Sequence, residues 1–270
     1  MSGALPAGPA TPGHVPLLAT TRGFDGAEAV ECVHYGSIAV VDGDGRLVAG
    51  AGDPESIQFS RSTLKPIQAL PFVEDGGLGR FGFGSHELAL LCASHSGEAV
   101  HLRIVGGILE RIGAAPRDLQ CGSHPPRYYE VIGAPRPADL PASPLFHNCS
   151  GKHSGFLAYC RLHGHALDGY LEPDAPLQLR IRNALRALAG NDVLVAGIDG
   201  CNAPNHALPL RRLAQIYGRI AAADDAALRA LFYAMTRHPD LVSGTGRTDL
   251  ALMQTGAGDW VSKIGADGLQ

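Results

Sequence analysis

The stretch SRSTLKPIQAL, Ser60 to Leu70, places a serine three residues before a lysine at the start of an apolar run. On a helix, positions i and i+3 share a face one turn apart, which brings Lys65 within reach of the Ser62 hydroxyl. A serine is a weak nucleophile until a base takes its proton, and a neutral lysine amine is such a base. Pro66 is tolerated only in a first helical turn, so Ser62 is expected near a helix N-terminus. Ser-x-x-Lys joins two common residues and carries little alone; the flanking segments decide its meaning.

Upstream, ECVHYGSIAVVDGDGRLVAGAGD reads as antiparallel strands. Ser37–Val41 and Arg46–Ala51 flank DGDG, a turn suited to a hairpin. Residues 1–16, rich in Pro, Gly and Ala, read as a disordered or extended arm. Downstream, SHELALLCASHSGE predicts a short, nearly all-apolar helix, the mark of a buried one. EAVHLRIVGGILERIG predicts a second, with Val100, Ile104, Ile108 and Leu109 on its apolar face. Residues 114–144, rich in Pro and Arg and without periodicity, read as a long irregular excursion. HNCSGKHSGFLAYCRLHG is a polar loop entering a helix, and PDAPLQLRIRNALRALAG is an amphipathic helix. DVLVAGIDGCNAP predicts a short buried strand, two helices follow near 208–222 and 226–237, and DWVSKIGADGLQ predicts a last strand approaching a turn.

Helices fill the middle and strands lie toward both ends, which predicts an α+β fold: an antiparallel sheet built from the two chain ends, with packed helices and an inserted helical lobe. Residues 17–270 then form a single catalytic domain of two lobes, with a cleft between them. The net charge of −4 gives no field to attract a nucleic acid. No apolar run approaches the ~20 residues of a membrane span. The N-terminus lacks the pattern of a signal peptide, and six irregularly spaced cysteines point to a reducing, cytoplasmic setting.

Polar residues gather in six places: Ser60, Ser62 and Lys65; Ser94, His95, Ser96 and Glu98; His147, Asn148, Cys149, Lys152 and His153; Asp199, Cys201, Asn205 and His206; SGTGR; and Ser262 with Lys263, followed by Gly265. Singly, each has a bland reading, because loop serines and asparagines commonly cap helices or form turns. Together, Ser-x-x-Lys at a helix start, a serine-centred loop and a late Lys-x-Gly follow the order seen in active-site-serine penicillin-recognising enzymes. A side chain at Gly265 would obstruct close approach there.

SRSTLKP, ASHSGE, HNCSGKH, GIDGCNAP and SGTGR, in this order, resemble the asparaginase II-like family, from about Gly36 to Gln270. The resemblance implies a serine β-lactamase or glutaminase type of fold and hydrolysis of L-asparagine to L-aspartate and ammonia. It implies Ser62 as nucleophile with Lys65, and Ser94 with Lys263 as a second couple. It further implies zinc held by Cys149, Lys152 and Cys201, with Asp199 acting through a water. From spacing alone, Cys149 and Cys201 read as unligated buried thiols; the resemblance reverses that preference. Arg61 and Arg247 are candidates for a substrate carboxylate, with His95 and Glu98 as further substrate candidates. A homodimer is implied by the resemblance alone.

Family members continue beyond the point where this chain ends, so the resemblance also implies a truncated chain lacking C-terminal elements. Alternatives are a glutaminase, a D-alanyl-peptide acyl transferase, and an inactive fragment or small-molecule binding protein. The cysteine–lysine cluster argues against the acyl transferase, which needs no metal.

Overall fold

The computed structural model describes residues 13–24, 26–190, 192–223 and 225–270. Strands β1 (Val15–Phe24) and β2 (Ala27–Gly36) pair antiparallel in a largely exposed ribbon. Most of the expected N-terminal arm lies outside the described residues, but Val15 and Pro16 already belong to β1. The DGDG hairpin is present: Asp42 accepts from the amides of Asp44 and Arg46 at 3.0 and 2.9 Å, joining β3 (Ile38–Val41) to β4 (Leu47–Ala51). Strand β5 (Ile57–Phe59) then leads into the serine–lysine stretch.

Helices α1 (Lys65–Glu74), α2 (Gly77–Phe81), α3 (Ser85–Leu91) and α4 (Ala99–Arg111) follow. Pro66 sits in the first turn of α1, as its missing N–H requires. The expected helix at SHELALL is α3, and its Leu88–Leu91 are all buried. The irregular excursion holds only short helical turns, among them α5 (Tyr128–Val131). Next come α6 (Ser150–His163) and α7 (Pro176–Ala189), then strands β6 (Leu194–Ile198) and β7 (Pro204–Pro209). Helices α8 (Leu210–Ala222), α9 (Ala226–Arg237), α10 (Pro239–Val242) and α11 (Thr248–Thr255) complete the chain. Asp225 caps α9 by accepting from the amides of Ala227 and Leu228 at 2.7 and 3.2 Å.

The class is mixed α and β with small antiparallel sheets. Among the described residues there are three: β1–β2, β3–β4, and β5–β7–β6 with β7 central. They replace the single sheet expected from the two chain ends. The segment around Lys263 is no strand, and the reason is local. The Ile264 amide donates to both oxygens of the Asp249 carboxylate, at 2.8 and 3.0 Å, so its strand-pairing donor is already taken. The expected turn after it is there, closed by the Gly265 amide on the Leu269 carbonyl at 2.7 Å. Strand β6 was expected to be buried, yet it lies at a sheet edge and Ile198 is 73% exposed.

One core, drawn mainly from α1, α3, α4, α6, α7, α8 and α9, carries the site. Helix α6 approaches α3 closely because Gly151 has no side chain; a Cβ there would lie 2.3 Å from the Leu90 carbonyl oxygen. That contact sets the depth at which the first turn of α6 enters the core.

Candidate active site

Ser62 lies in a 3-10 turn, Arg61–Leu64, just ahead of α1. The turn is pinned to β7: the Ser60 amide and hydroxyl both donate to the His206 carbonyl, at 2.9 and 2.7 Å, and the Arg61 amide donates to Asn205 Oδ1 at 3.1 Å. Arg61 itself has φ +48°, in the left-handed region that side chains disfavour. Its guanidinium pairs with Asp199 at 2.6 Å and with Asp267. The carboxylate-binding capacity expected of Arg61 is therefore already used within the chain.

The two lysines meet on one hydroxyl. Lys65 Nζ donates to Ser94 Oγ at 2.8 Å and to the Ala93 carbonyl at 2.6 Å. Lys263 Nζ donates to Ser94 Oγ at 2.9 Å and to the Ile264 carbonyl at 2.8 Å. Lys65, Ser94 and Lys263 are all buried, whereas Ser62 is half-exposed. The amine of Lys65 thus turns toward Ser94, not toward Ser62 as the spacing alone had indicated. Burial pushes the Lys263 amine down to about 8; Asp249 opposes this shift, while Lys65 and Arg247 reinforce it. Asp249 is a residue that sequence reasoning missed. It lies 3.5 Å from Lys263, accepts from Ser262 Oγ at 2.8 Å, and is fully buried.

Ser62 and Ser94 line one cavity of about 240 Å³ together with Arg127, Arg247, Cys149 and Cys201. A larger hollow of about 690 Å³, mostly apolar and edged by β3, α8 and Trp260, is lined by Lys263 but presents neither Ser62 nor Ser94. Gly265 lines the serine cavity, and a Cβ on it would sit 3.2 Å from Thr63 Cγ2, in keeping with the close approach expected of that glycine.

His95 and Glu98 do not line the cavity. The His95 ring lies between Ser150 Oγ at 2.9 Å and the Gly97 amide at 3.1 Å, and burial keeps it neutral. Glu98 accepts from the Thr245 amide and hydroxyl at 2.8 and 2.9 Å. Both are tied into the surrounding backbone and side chains by these bonds.

Beside the serines, Cys149, Lys152 and Cys201 converge. Lys152 Nζ is 3.0 Å from Cys201 Sγ, and Cys201 Sγ is 3.7 Å from Asp199 Oδ2. A hydrogen bond from Cys201, with Lys65 and Lys152 nearby, holds the Cys149 thiol well below its ordinary range against the effect of burial. Burial works against the Lys152 ammonium, but the two sulfurs outweigh it and hold the charge. Two thiols, one poised to ionise, and an amine are sulfur and nitrogen groups of the kind a soft divalent cation takes, and the Lys152 ammonium would have to give up its proton to act as a donor. Among the described residues no group of three His, Cys, Asp or Glu side chains is placed to hold a metal ion.

A half-exposed serine and a buried hydroxyl that takes hydrogen bonds from two amines line the same cavity, groups able in general to supply a nucleophile and a proton relay. The family model described as L-asparaginase II matches residues 21–270, and the chain belongs to that family. Membership supports an amidohydrolase with a small-molecule substrate. No curated protein matches the chain. Among the described residues no helix is long and apolar enough to cross a membrane.

Proposed function

We propose that the protein hydrolyses L-asparagine to L-aspartate and ammonia through an ester on Ser62. The observation that carries this reading is the Ser94 hydroxyl held between Lys65 and Lys263 in the same cavity wall as the half-exposed Ser62. The cavity, about 240 Å³, lies below the roughly 300–1,000 Å³ of drug-sized pockets and suits a single amino-acid amide.

In this reading Ser62 Oγ attacks the side-chain amide carbon, and its proton passes to the Lys65–Ser94–Lys263 set. The same set returns a proton to the departing nitrogen as the C–N bond breaks and ammonia leaves. Water then attacks the ester, giving its proton to the set, and the C–O bond to Ser62 breaks as the set returns that proton to Ser62 Oγ, releasing aspartate. Because Ser94 accepts from both amines, its own proton is available on the cavity side whenever both lysines are charged. When either amine is neutral, Ser94 can donate to it instead. The hydroxyl therefore links the two amines into one proton reservoir.

Cys149, Lys152 and Cys201 would hold a zinc ion, with Asp199 reaching it through water. When bound, such an ion would supply a Lewis acid that anchors the α-amino end of the substrate. The fold is read as the serine β-lactamase type, one catalytic domain of two lobes over 17–270. All six cysteines are free thiols, which supports the cytoplasmic reading; the homodimer belongs to this proposal on resemblance alone.

Ammonia release from L-asparagine and L-glutamine, and D-alanine release from a D-Ala-D-Ala peptide, for the wild type and Ser62→Ala, test the proposal. Release from asparagine that falls at least about a hundredfold in Ser62→Ala is expected. Release that survives the substitution removes the nucleophile, and release only from glutamine or the peptide changes the substrate.

A further inference from the structure

Three arginines line the serine cavity, and they are not equivalent. Arg61 is already paired with Asp199 and Asp267. Arg127 and Arg247 have no carboxylate within ion-pair distance among the described residues. Arg247 is half-buried, and burial together with the neighbouring Arg127 pushes its pKa down, with Asp249 and Glu130 opposing. Arg127 is exposed and Arg247 half-buried, and both line one cavity wall, where two like charges repel each other and an anion between them relieves that repulsion.

Their placement is tied to the catalytic hydroxyl. The Tyr128 amide, one residue after Arg127, donates to the Ser96 carbonyl at 2.9 Å. On the other side, Ser96 Oγ donates to the Ser243 carbonyl at 3.1 Å, and Glu98 holds Thr245 by two hydrogen bonds. Gly244, at φ +123°, packs so tightly that a Cβ would lie 2.5 Å from Glu98 and 2.7 Å from Ser96. The helix after Arg127 also touches the loop before Arg247: a Cβ on Gly246 would lie 2.9 Å from Val131. The short segment Ser96–Glu98, one residue beyond Ser94, thus anchors both arginines.

We infer that Arg127 and Arg247 form a clamp for the α-carboxylate of the substrate, restricting the enzyme to free amino-acid amides and excluding asparagine side chains within peptides or esters. This rests on the amidohydrolase reading above and names its substrate class. Guanidinium forks match a carboxylate in a way that they do not match an ester or peptide amide. Capping the carboxylate would leave the two charges facing one another without an anion.

The test compares L-asparagine with its α-methyl ester, which releases ammonia only from the side chain, in wild type, Arg127→Met, Arg247→Met, the double variant and Arg247→Lys. The wild type is expected to prefer asparagine over the ester at least about a hundredfold in kcat/KM. That preference should collapse to within a few-fold in the double variant, mainly through KM, with partial recovery in Arg247→Lys. Equal use of the ester by the wild type, or a preference that survives both substitutions, overturns the clamp while leaving the hydrolase intact. Calorimetric binding of L-aspartate, the free product, separates the two readings. If the wild type releases no ammonia yet binds aspartate at least about tenfold more tightly than the double variant, the clamp stands and the hydrolase reading falls. No difference in aspartate binding overturns the clamp.

Discussion

Lys263 and Asp249 face each other at 3.5 Å with both side chains closed off from water. The same carboxylate takes the Ile264 amide and the Ser262 hydroxyl. One buried acid therefore both shapes the backbone that carries Lys263 and sets the charge that the amine experiences. Removing one partner of such a pair leaves an uncompensated buried charge.

The pH–rate profile follows from that pair. The proposed chemistry needs a neutral amine, and Lys263 titrates near 8. kcat/KM is expected to rise with pH and level off above about 8. The groups acting on Lys263 are Asp249, Lys65, Arg247 and Cys149. Asp249→Asn removes the charge that raises its pKa, so the rise should move to lower pH. A rise that stays in place in the variant, or a wild-type profile flat from about pH 6 to 9, contradicts the assignment.

Stability should carry the same signature. The folded-state pKa of Lys263 lies below the ~10.4 of an unfolded lysine. Between about 8 and 10.4 the unfolded chain binds the extra proton, so this residue's contribution to stability rises with pH across that window. Below the window both states are charged and the contribution is flat. Denaturant midpoints at the two ends of the window should show a larger gain for the wild type than for Lys263→Met.

Gly151→Ala should destabilise the protein by about 1–3 kcal/mol, because the new Cβ meets backbone at Leu90 rather than a movable side chain. Urea denaturation measures this. Zinc content and ammonia release should fall with stability, since Cys149 and Lys152 flank the displaced turn. An unchanged midpoint would mean that α6 shifts freely against α3.

Elemental analysis checks the zinc donor set. Stoichiometric zinc in the wild type should be lost in Cys149→Ser and Cys201→Ser, and sharply reduced in Lys152→Met. Unchanged zinc in all three would move the metal elsewhere or dismiss it.

Local patterns made much of this legible before any coordinates. Pro66 located the start of α1, DGDG the hairpin, and apolar periodicity the helices, because each depends on neighbouring residues. What escaped depends on distant ones. Strand β7 was hidden because its sequence, PNHALP, is bounded by prolines and carries Asn205 and His206, yet all six residues are buried. The segment at Lys263 has strand-like composition but gives its amide to a side chain. Lys65 could reach Ser62 by spacing; its orientation toward Ser94 depends on a residue 29 positions away. Asp249 sat in RTDLALM with nothing nearby to mark it, and Arg127 lay in a stretch without periodicity. His95 and Glu98 attracted notice through their neighbour Ser94, which proximity in sequence could not separate from function.

The left-handed turn at Arg61 bears on how Ser62 comes to be aimed. A residue with a Cβ gives up roughly 1–2 kcal/mol in that conformation. Its guanidinium is gripped by carboxylates 138 and 206 positions along the chain. No excised peptide spanning SRSTLK would adopt the bend unaided. The aim of Ser62 is therefore a property of the closed fold, held in place by remote parts of the polypeptide rather than by its own neighbours.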